Sequence, residues 1–321
     1  MRTIHSIFPD KVNNEKKEKD PERMDLLMRT IKAVHSVSTD PTAMTPSDLN
    51  RQRTSVEVFS RLVTPPVGVH TDDFTVDGIP CEITKPEFAH RKDVIILYCH
   101  GGGYTSGGLG YARILAAKLA LHTGIEVVSF EYGLAPENPY PGPINDGMKI
   151  WDYLMHQGIG ASKVILAGDS AGGNMALEIS IRLREEKRLL PGALVLFSPW
   201  TDMTITNGSY ENYKDKDPML TAEYVMTVRS AYAGKDADFT DIHLSPLYAD
   251  FEGFPPTLIQ VGSNEVLRDD SEKLYKKLTK ANAYAKLEVT QGGWHVFQQM
   301  PIPRAIRALD SVKFFIDSID L

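Results

Sequence analysis

Short apolar runs alternate with longer stretches of helical spacing from about residue 75 to the end of the chain. Strands that alternate with helices in this way indicate a parallel sheet buried between helices on both faces. We therefore predict an α/β fold with a mostly parallel central sheet. The predicted strands are Val94–Cys99, Glu126–Phe130, Val164–Ala167, Ala193–Phe197, Thr257–Val261 and Ala285–Val289, and the predicted helices cover residues 111–123, 143–157, 171–186, 269–282 and 302–318.

Two other segments lack this alternation. Residues 24–63 place apolar side chains such as Met24, Leu27 and Ile31 close to helical spacing, so this segment is predicted to pack as a helix. Residues 201–245 are rich in Asp, Tyr, Asn and Met and poor in strand-like runs, which indicates an insertion over one end of the sheet.

The charge balance excludes two classes of partner. With 35 Lys and Arg against 42 Asp and Glu, the 321-residue chain carries a formal net charge of −7. Binding of nucleic acid or of an anionic membrane needs a basic face, so we expect neither. No apolar run approaches the roughly 20 residues that span a bilayer, and no signal-peptide pattern is visible, so the predicted location is cytoplasmic.

Metal and disulfide chemistry are not expected either. The two cysteines, Cys81 and Cys99, are too few for a disulfide framework or a four-cysteine zinc site. Cys99 ends an apolar run and is predicted to be a buried core thiol. No group of His, Cys and Asp residues has the spacing of metal ligands, so we expect no metal and no cofactor.

The residues after strand Val164–Ala167 predict a catalytic serine. Gly168 to Gly172 read Gly-Asp-Ser-Ala-Gly, and a helical stretch follows. In this context the serine sits in a sharp turn that projects its hydroxyl from the sheet edge, and the residues two before and two after it must be small. A glycine-rich turn without chemistry would carry the same letters, but the placement between strand and helix favours Ser170 as a nucleophile.

A run of glycines after another strand, Val94–Cys99, indicates an oxyanion hole. His100 and three glycines follow this strand directly. Fixed N–H donors stabilise the negative oxygen of a tetrahedral acyl intermediate, and we predict that Gly102, Gly103 and Ala171 supply them. A dinucleotide phosphate is the alternative ligand, but the Gly-x-Gly-x-x-Gly spacing is absent. His100 is predicted to brace the loop rather than to act in catalysis.

One C-terminal histidine is placed to act as the base of Ser170. A serine nucleophile needs a base, and the base needs an acid that holds its tautomer. The chain order in this type of fold is Ser, then Asp or Glu, then His. His295 is the one histidine beyond residue 243 and follows the strand Ala285–Val289. We therefore predict His295 as the general base.

In this combination and order the motifs resemble the hormone-sensitive-lipase-like branch of the α/β-hydrolases, the bacterial esterases with HGGG and GDSAG motifs. The resemblance covers about residues 75–320, and the first 75 residues match only loosely. It rests on His100–Gly103 and Gly168–Gly172, on a Y-x-L-A-P-E turn at Tyr132–Glu137, on an S-P-W-x-D loop at Ser198–Asp202, and on two cap-return segments, Asp217–Leu220 and Ser245–Leu247.

The resemblance implies which residue is the acid of the triad. The family has D-P-L-x-D after the fifth of the predicted strands, and alignment on Leu267 and Asp269 places Glu265 at the acid position. The glutamate and the missing proline depart from the family pattern, but Glu265 keeps the carboxylate. Asp269 is the alternative acid, with helix capping as its other role. Asp169, beside the nucleophile, is implied to be structural.

The resemblance also implies the domain plan and the activity. We expect the α/β-hydrolase fold, with residues 1–60 as an N-terminal helical cap segment, residues 61–321 as the catalytic domain and about 201–240 as a cap insertion. The expected enzyme is a serine carboxylic-ester hydrolase acting on short- to medium-chain acyl esters. Deacetylation of acetylated sugars and lactone hydrolysis are alternatives on the same site, and a non-catalytic small-molecule binding protein is the alternative from another class.

Two further expectations concern the pocket and the assembly. Four large side chains near the motifs are candidate pocket walls, although each suits the core equally: Tyr104, Trp200, Met219 and Trp294. The family often dimerises through its last strand, so a homodimer through residues 285–289 is expected, because sheet edges invite pairing.

Overall fold

A computed structural model of the chain describes residues 44–63, 66–88 and 91–321. Of the predicted N-terminal segment, residues 1–43 therefore lie outside the described residues. Within the described part, the chain forms a sheet covered by helices on both faces.

Eight strands form a single sheet in the described residues. They are β1 Val69–Val76, β2 Ile79–Pro86, β3 Arg91–Cys99, β4 Ile125–Phe130, β5 Val164–Asp169, β6 Ala193–Phe197, β7 Thr257–Gly262 and β8 Ala285–Thr290. Their order in space is β1-β2-β4-β3-β5-β6-β7-β8. Strand β2 runs antiparallel to β1 and to β4, and the remaining neighbours pair in parallel.

The connections between the strands supply the helices. They are α1 Pro46–Leu62, α2 Leu109–Thr123, α3 Gly142–His156, α4 Ala171–Glu185, α5 Ser209–Asn212, α6 Ala222–Ala233, α7 Arg268–Lys280 and α8 Pro303–Asp317, with 3-10 turns at Ala161–Lys163, Pro246–Tyr248 and Phe297–Gln299. The segment between β6 and β7, where the insertion is predicted, contains α5 and α6.

Strand β3 separates two apolar cores. Val94, Ile96 and Tyr98 pack with residues of α2 and α8 on one face of the sheet. Ile95 and Leu97 pack with residues of α3, α4 and α7 on the other face. Successive side chains of a strand point to opposite faces, so a sheet covered on both faces requires a nearly continuous apolar strand.

The predicted α/β class is confirmed, and the six predicted strands correspond to β3 through β8. Strands β1 and β2 are not among the predictions, because β1 alternates polar and half-buried positions instead of forming an apolar run. Their signal is the turn at Asp77 and Gly78, where both residues have positive φ, 49° and 83°. An Asp-Gly pair between two strands is a strong hairpin signal.

Six loops meet at the carboxyl ends of the parallel strands. Strands β3 to β8 all end on this side of the sheet because parallel strands share a direction, and each is followed by a loop rich in polar residues or glycine. Ligand sites of open α/β sheets lie at the carboxyl ends of the strands. These loops are therefore expected to hold the candidate site.

Candidate active site

Ser170 lies in the turn between β5 and α4. Its φ of 54° is left-handed, which is uncommon for a residue with a side chain and signals a local constraint. A Cβ at Gly168 would lie 2.2 Å from the carbonyl oxygen of Gly172, and a Cβ at Gly172 would lie 1.9 Å from that of Cys99. No side chain fits at either position, so the two glycines let the strand and the helix approach behind the serine.

Gly102 and Gly103 line the same cleft as Ser170. Their φ values are 113° and 63°, and a Cβ at Gly102 would lie 2.2 Å from the carbonyl oxygen of Ser106. In the described part of the chain, the N–H groups of the two glycines donate to no acceptor. Ala171 begins α4, where backbone N–H groups have no intrahelical partner. These three residues can therefore present N–H donors to an oxyanion.

Asp169 ties the serine turn to the oxyanion loop. It is completely buried. Its Oδ1 accepts the N–H of Gly101 at 2.8 Å and the hydroxyl of Tyr98, and its Oδ2 accepts the hydroxyl of Tyr111 at 2.8 Å. Burial raises the pKa of this carboxyl, against the opposing effect of these three donors. The contacts match the structural role that the resemblance implies.

His100 lies behind the oxyanion loop and does not line the cleft. Its Nδ1 is 2.7 Å from the carbonyl oxygen of Gly101, and its ring stacks on Tyr132 with 4.2 Å between centroids. Burial lowers the pKa of His100 to about 4, so the ring is neutral near pH 7. These contacts fit the bracing role rather than a catalytic one.

His295 and Glu265 form a buried ion-pair contact. Nδ1 of His295 lies 3.6 Å from Oε1 of Glu265, which is longer than a hydrogen bond. Neither atom has a hydrogen-bond partner in the described residues. Burial alone lowers the pKa of His295, but Glu265, with smaller contributions from Asp217 and Asp169, raises it above the ordinary value. Catalytic hydrogen bonds are often long without substrate and tighten when it binds.

Two donors hold the second carboxylate oxygen of Glu265. The hydroxyl of Ser198 donates to Oε2 at 2.9 Å, and the N–H of Gly262 donates to it at 2.8 Å. The Ser198 hydroxyl also accepts the N–H of Val296 at 3.2 Å. Ser198 therefore joins the loop of the acid to the loop of His295. It is not among the predicted site residues; its signal was its place in the S-P-W-x-D loop.

Asp269, the alternative acid, is engaged elsewhere. Its Oδ2 accepts the N–H of Ser209 at 2.9 Å, at the start of α5. Among the described residues it forms no ion pair with His295, whereas Glu265 does. The geometry therefore favours Glu265 as the acid partner of His295.

The cleft at Ser170 opens to solvent and encloses about 690 Å³ of empty space, the open solvent at its mouth included. Its walls come mainly from α1, from α6 and from the residues just before α6. The lining residues that the predictions did not name are Ser55, Val56, Phe59, Ser106, Tyr111, Leu220, Tyr224, Val225, Val228 and Leu267.

Helix α1 is fixed to the oxyanion loop by side-chain contacts. Nε2 of Gln52 donates to the hydroxyl of Tyr224 at 2.5 Å, and Oε1 of Gln52 accepts the hydroxyl of Thr105 at 3.0 Å. Nε of Arg53 donates to the carbonyl oxygen of Thr105 at 3.0 Å. The wall formed by α1 is thus connected both to α6 and to the segment that follows Gly103.

Two of the four candidate pocket residues line the cleft, and two do not. Trp200 and Met219 belong to the lining. Tyr104 is instead completely buried and stacks on Tyr232 with 3.9 Å between ring centroids. Trp294 is buried in a small apolar cluster beside α8. The prediction is therefore corrected for Tyr104 and Trp294, whose rings fill the core.

The residues that the structure describes contain no group of three or more His, Cys, Asp or Glu side chains placed to hold a metal ion. None of their helices combines the length and the apolar character that crossing a membrane requires. Cys81 and Cys99 are free thiols, and both are buried.

Comparison with known proteins identifies the family. The sequence pattern of the alpha/beta hydrolase fold family matches residues 96–299. An esterase of Acinetobacter venetianus is 34% identical over 286 residues, which are 87% of this chain and 94% of the esterase. An acetyl-hydrolase of Streptomyces hygroscopicus is 33% identical over 263 residues, which are 81% of this chain and 85% of the hydrolase.

A solved structure shows the same architecture. A crystal structure of an esterase from the bacterial hormone-sensitive lipase family superposes with a TM-score of 0.85 and 31% sequence identity. The match covers 94% of this chain and 99% of that esterase. The chain therefore belongs to the α/β-hydrolase fold family, among the carboxylic-ester hydrolases that resemble hormone-sensitive lipase.

Proposed function

We propose that this enzyme hydrolyses short- to medium-chain acyl esters through an acyl-enzyme intermediate on Ser170. One observation carries the proposal. Ser170, His295 and the two oxyanion-loop glycines line a single cleft, and Glu265 lies beside Nδ1 of His295. This is the set of roles that serine acyl transfer requires: nucleophile, base, acid and oxyanion donors.

The reaction follows from these roles in two halves. His295 takes the proton of the Ser170 hydroxyl as its oxygen attacks the ester carbonyl carbon, and Glu265 stabilises the imidazolium that forms. The N–H groups of Gly102, Gly103 and Ala171 stabilise the oxyanion. The intermediate collapses as His295 protonates the leaving alcohol. Water then attacks the acyl group with His295 as base, releasing the acid and restoring the serine.

The walls of the cleft favour a small apolar acyl or alcohol group. Val225, Val228 and Leu220 face the cleft from the insertion, and Phe59 faces it from α1. The acetyl-hydrolase among the relatives supports the short end of the range. Deacetylation of sugars and lactone hydrolysis use the same roles and differ in the shape that the cleft must accept.

A chain-length series tests the substrate class. Nitrophenyl esters from acetate to decanoate are compared for kcat/KM with the wild-type enzyme and with Ser170→Ala. The expected result is a maximum among the shorter esters and loss of turnover in Ser170→Ala for all of them. A maximum at decanoate contradicts the proposed substrate class, and an active Ser170→Ala contradicts the mechanism. Acetylated sugars and lactones assayed in parallel distinguish the alternatives.

The cap assignment is part of the same proposal. Residues 44–60 of the N-terminal segment and the insertion at about 201–240 both contribute cleft walls, which supports a cap made from these two segments over the catalytic domain of residues 61–321. The cytoplasmic location stays a prediction from the sequence.

We also propose a homodimer that pairs through β8. This strand lies at an edge of the sheet, and Tyr284, the residue before it, is exposed. An unpaired strand edge beside an exposed apolar side chain invites association. Sedimentation should report a dimer that Ala285→Pro dissociates, because the N–H of Ala285 faces away from β7; a monomer at all concentrations contradicts it.

A further inference from the structure

Asp217 lies in the insertion between α5 and α6, and its side chain is buried. Its Oδ2 accepts the N–H of Val266 at 2.9 Å. Its Oδ1 accepts the N–H groups of Met219 at 2.8 Å and of Leu220 at 3.1 Å. One carboxylate therefore connects the residue that follows Glu265 with two residues that line the cleft.

The insertion also binds the carbonyl oxygen of Val266. The hydroxyl of Ser209 donates to the carbonyl oxygen of Val266 at 2.5 Å. Both polar groups of Val266 are thus bound by residues of the insertion, before α7 begins at Arg268. The backbone that carries Glu265 is consequently fixed relative to the wall of the cleft.

Asp217 also acts electrostatically on the acid and the base. Burial raises the pKa of Asp217 to about 6, His295 opposes this effect and Glu265 adds to it. Asp217 in turn acts on His295 together with Glu265 and Asp169, and all three carboxylates favour the imidazolium. The imidazolium of His295 therefore forms in a buried environment with more than one negative charge nearby.

We propose that Asp217 is a positioning residue of the triad, which fixes the Glu265 peptide against the cleft wall and supplies a second negative charge to His295. This inference rests on the proposed function. An aspartate suits the position because both of its oxygens accept from N–H groups, whereas an asparagine of the same shape would turn an NH₂ group towards one set of donors. Loss of either set loosens the acid loop or the cleft wall.

The test is Asp217→Asn, assayed for kcat and KM across pH. We expect kcat to fall about 10- to 100-fold, since a small displacement of a catalytic group has effects of this size. We expect the acid limb of kcat/KM to move about 0.5 to 1 pH unit lower, because removal of a negative charge lowers the pKa of His295. If Asp217→Asn does not fold, Asp217→Ser, which is also uncharged, is measured instead.

Glu82→Gln is the matched control. Glu82 is another buried carboxylate, paired with Arg113 on the antiparallel side of the sheet. Its loss should lower the melting temperature and leave the acid limb in place. If Asp217→Asn behaves like Glu82→Gln, with an unmoved acid limb and wild-type kcat, the carboxylate has only a structural role and the inference is wrong.

Ser170→Ala in the same assay separates this inference from the proposed function. An inactive Ser170→Ala beside an unaffected Asp217→Asn overturns the role of Asp217 alone. Turnover retained in Ser170→Ala overturns the mechanism on which the inference depends.

Discussion

The hydroxyl of Ser198 donates to Oε2 of Glu265 at 2.9 Å. The same oxygen of Ser198 accepts the N–H of Val296, the residue after His295. Ser198, which follows β6, thus hydrogen-bonds both to the acid, Glu265, and to the loop that carries the base, His295. Precise placement of the base and its acid is what allows a neutral histidine to take a proton from serine.

Ser198→Ala is expected to lower kcat about tenfold. The substitution leaves Glu265 Oε2 with one donor in place of two, and loss of such a buried hydrogen bond costs about 1 to 2 kcal/mol. Ser180→Ala is the matched control, because the Ser180 hydroxyl donates its hydrogen bond to a backbone carbonyl oxygen of its own helix. Steady-state kinetics on nitrophenyl acetate measure the effect; equal kcat values in the two variants would show that Ser198 has no role in placing the acid.

Substitution of the two candidate acids decides between them. Glu265→Gln should lower kcat about a thousandfold or more, because the imidazolium loses its buried counter-charge. Asp269→Asn should keep kcat within about threefold of wild type and lower the melting temperature slightly, since its contact is with the N–H of Ser209. The reverse pattern, with Asp269→Asn inactive and Glu265→Gln active, would make Asp269 the acid.

The pH profile follows from the direction of the pKa shift of His295. Only the neutral ring can take the serine proton, and neighbouring carboxylates raise its pKa above the ordinary 6.5. The acid limb of kcat/KM should therefore have its midpoint above pH 6.5, with activity rising as pH increases through it. A rate that is constant from about pH 5 to 8 would exclude His295 as a base that titrates in this range.

The width of the cleft at Val228 should set the preferred ester length. Val228 lies on α6 and lines the cleft. It lies so close to Gly103 that a Cβ added there would be 3.0 Å from the Val228 side chain. Val228→Ala removes two methyl groups, and the ratio of kcat/KM for octanoate to that for acetate should rise about threefold or more. Val58→Ala, on the exposed face of α1, is the control. An unchanged ratio in Val228→Ala would place the acyl chain elsewhere.

The local parts of the site could be predicted from the sequence. Ser170 and the glycines around it form a short pattern that is visible in the sequence. A Cβ at Gly168 would meet Gly172 in the same turn, and a Cβ at Gly172 would meet the carbonyl oxygen of Cys99 at the end of β3, so no other residue fits. Strands β3 to β7 were predictable because burial on both faces demands apolar runs. Strand β8 is only partly buried, and its short run of alternating apolar residues predicted it. Strand β1 escaped prediction because its half-buried positions alternate with polar residues. Strand β2 escaped it because the polar residues Glu82 and Thr84 occupy buried positions.

The long-range parts could not be predicted. Asp217 contacts Val266, 49 residues away, and Gln52 contacts Thr105, 53 residues away. Neither pair has a spacing or periodicity that connects its members. Tyr104 was predicted as a pocket wall because it follows the oxyanion glycines. It belongs to the core instead, because its positive φ of 61° turns the chain there and its ring stacks on Tyr232.

In the proposed mechanism Ser170 carries the acyl group. Rapid mixing of wild-type enzyme with nitrophenyl acetate, followed by acid quench and peptide mass spectrometry, tests this directly. We expect a burst of nitrophenol close to one equivalent per active site and an acetyl group on the peptide that contains Ser170, provided deacylation is the slower half. If deacylation is fast in the wild-type enzyme, the same labelling is carried out with Glu265→Gln, in which we expect deacylation to be slower. An acetyl group on another residue, or turnover by Ser170→Ala with wild-type kcat, would contradict the mechanism.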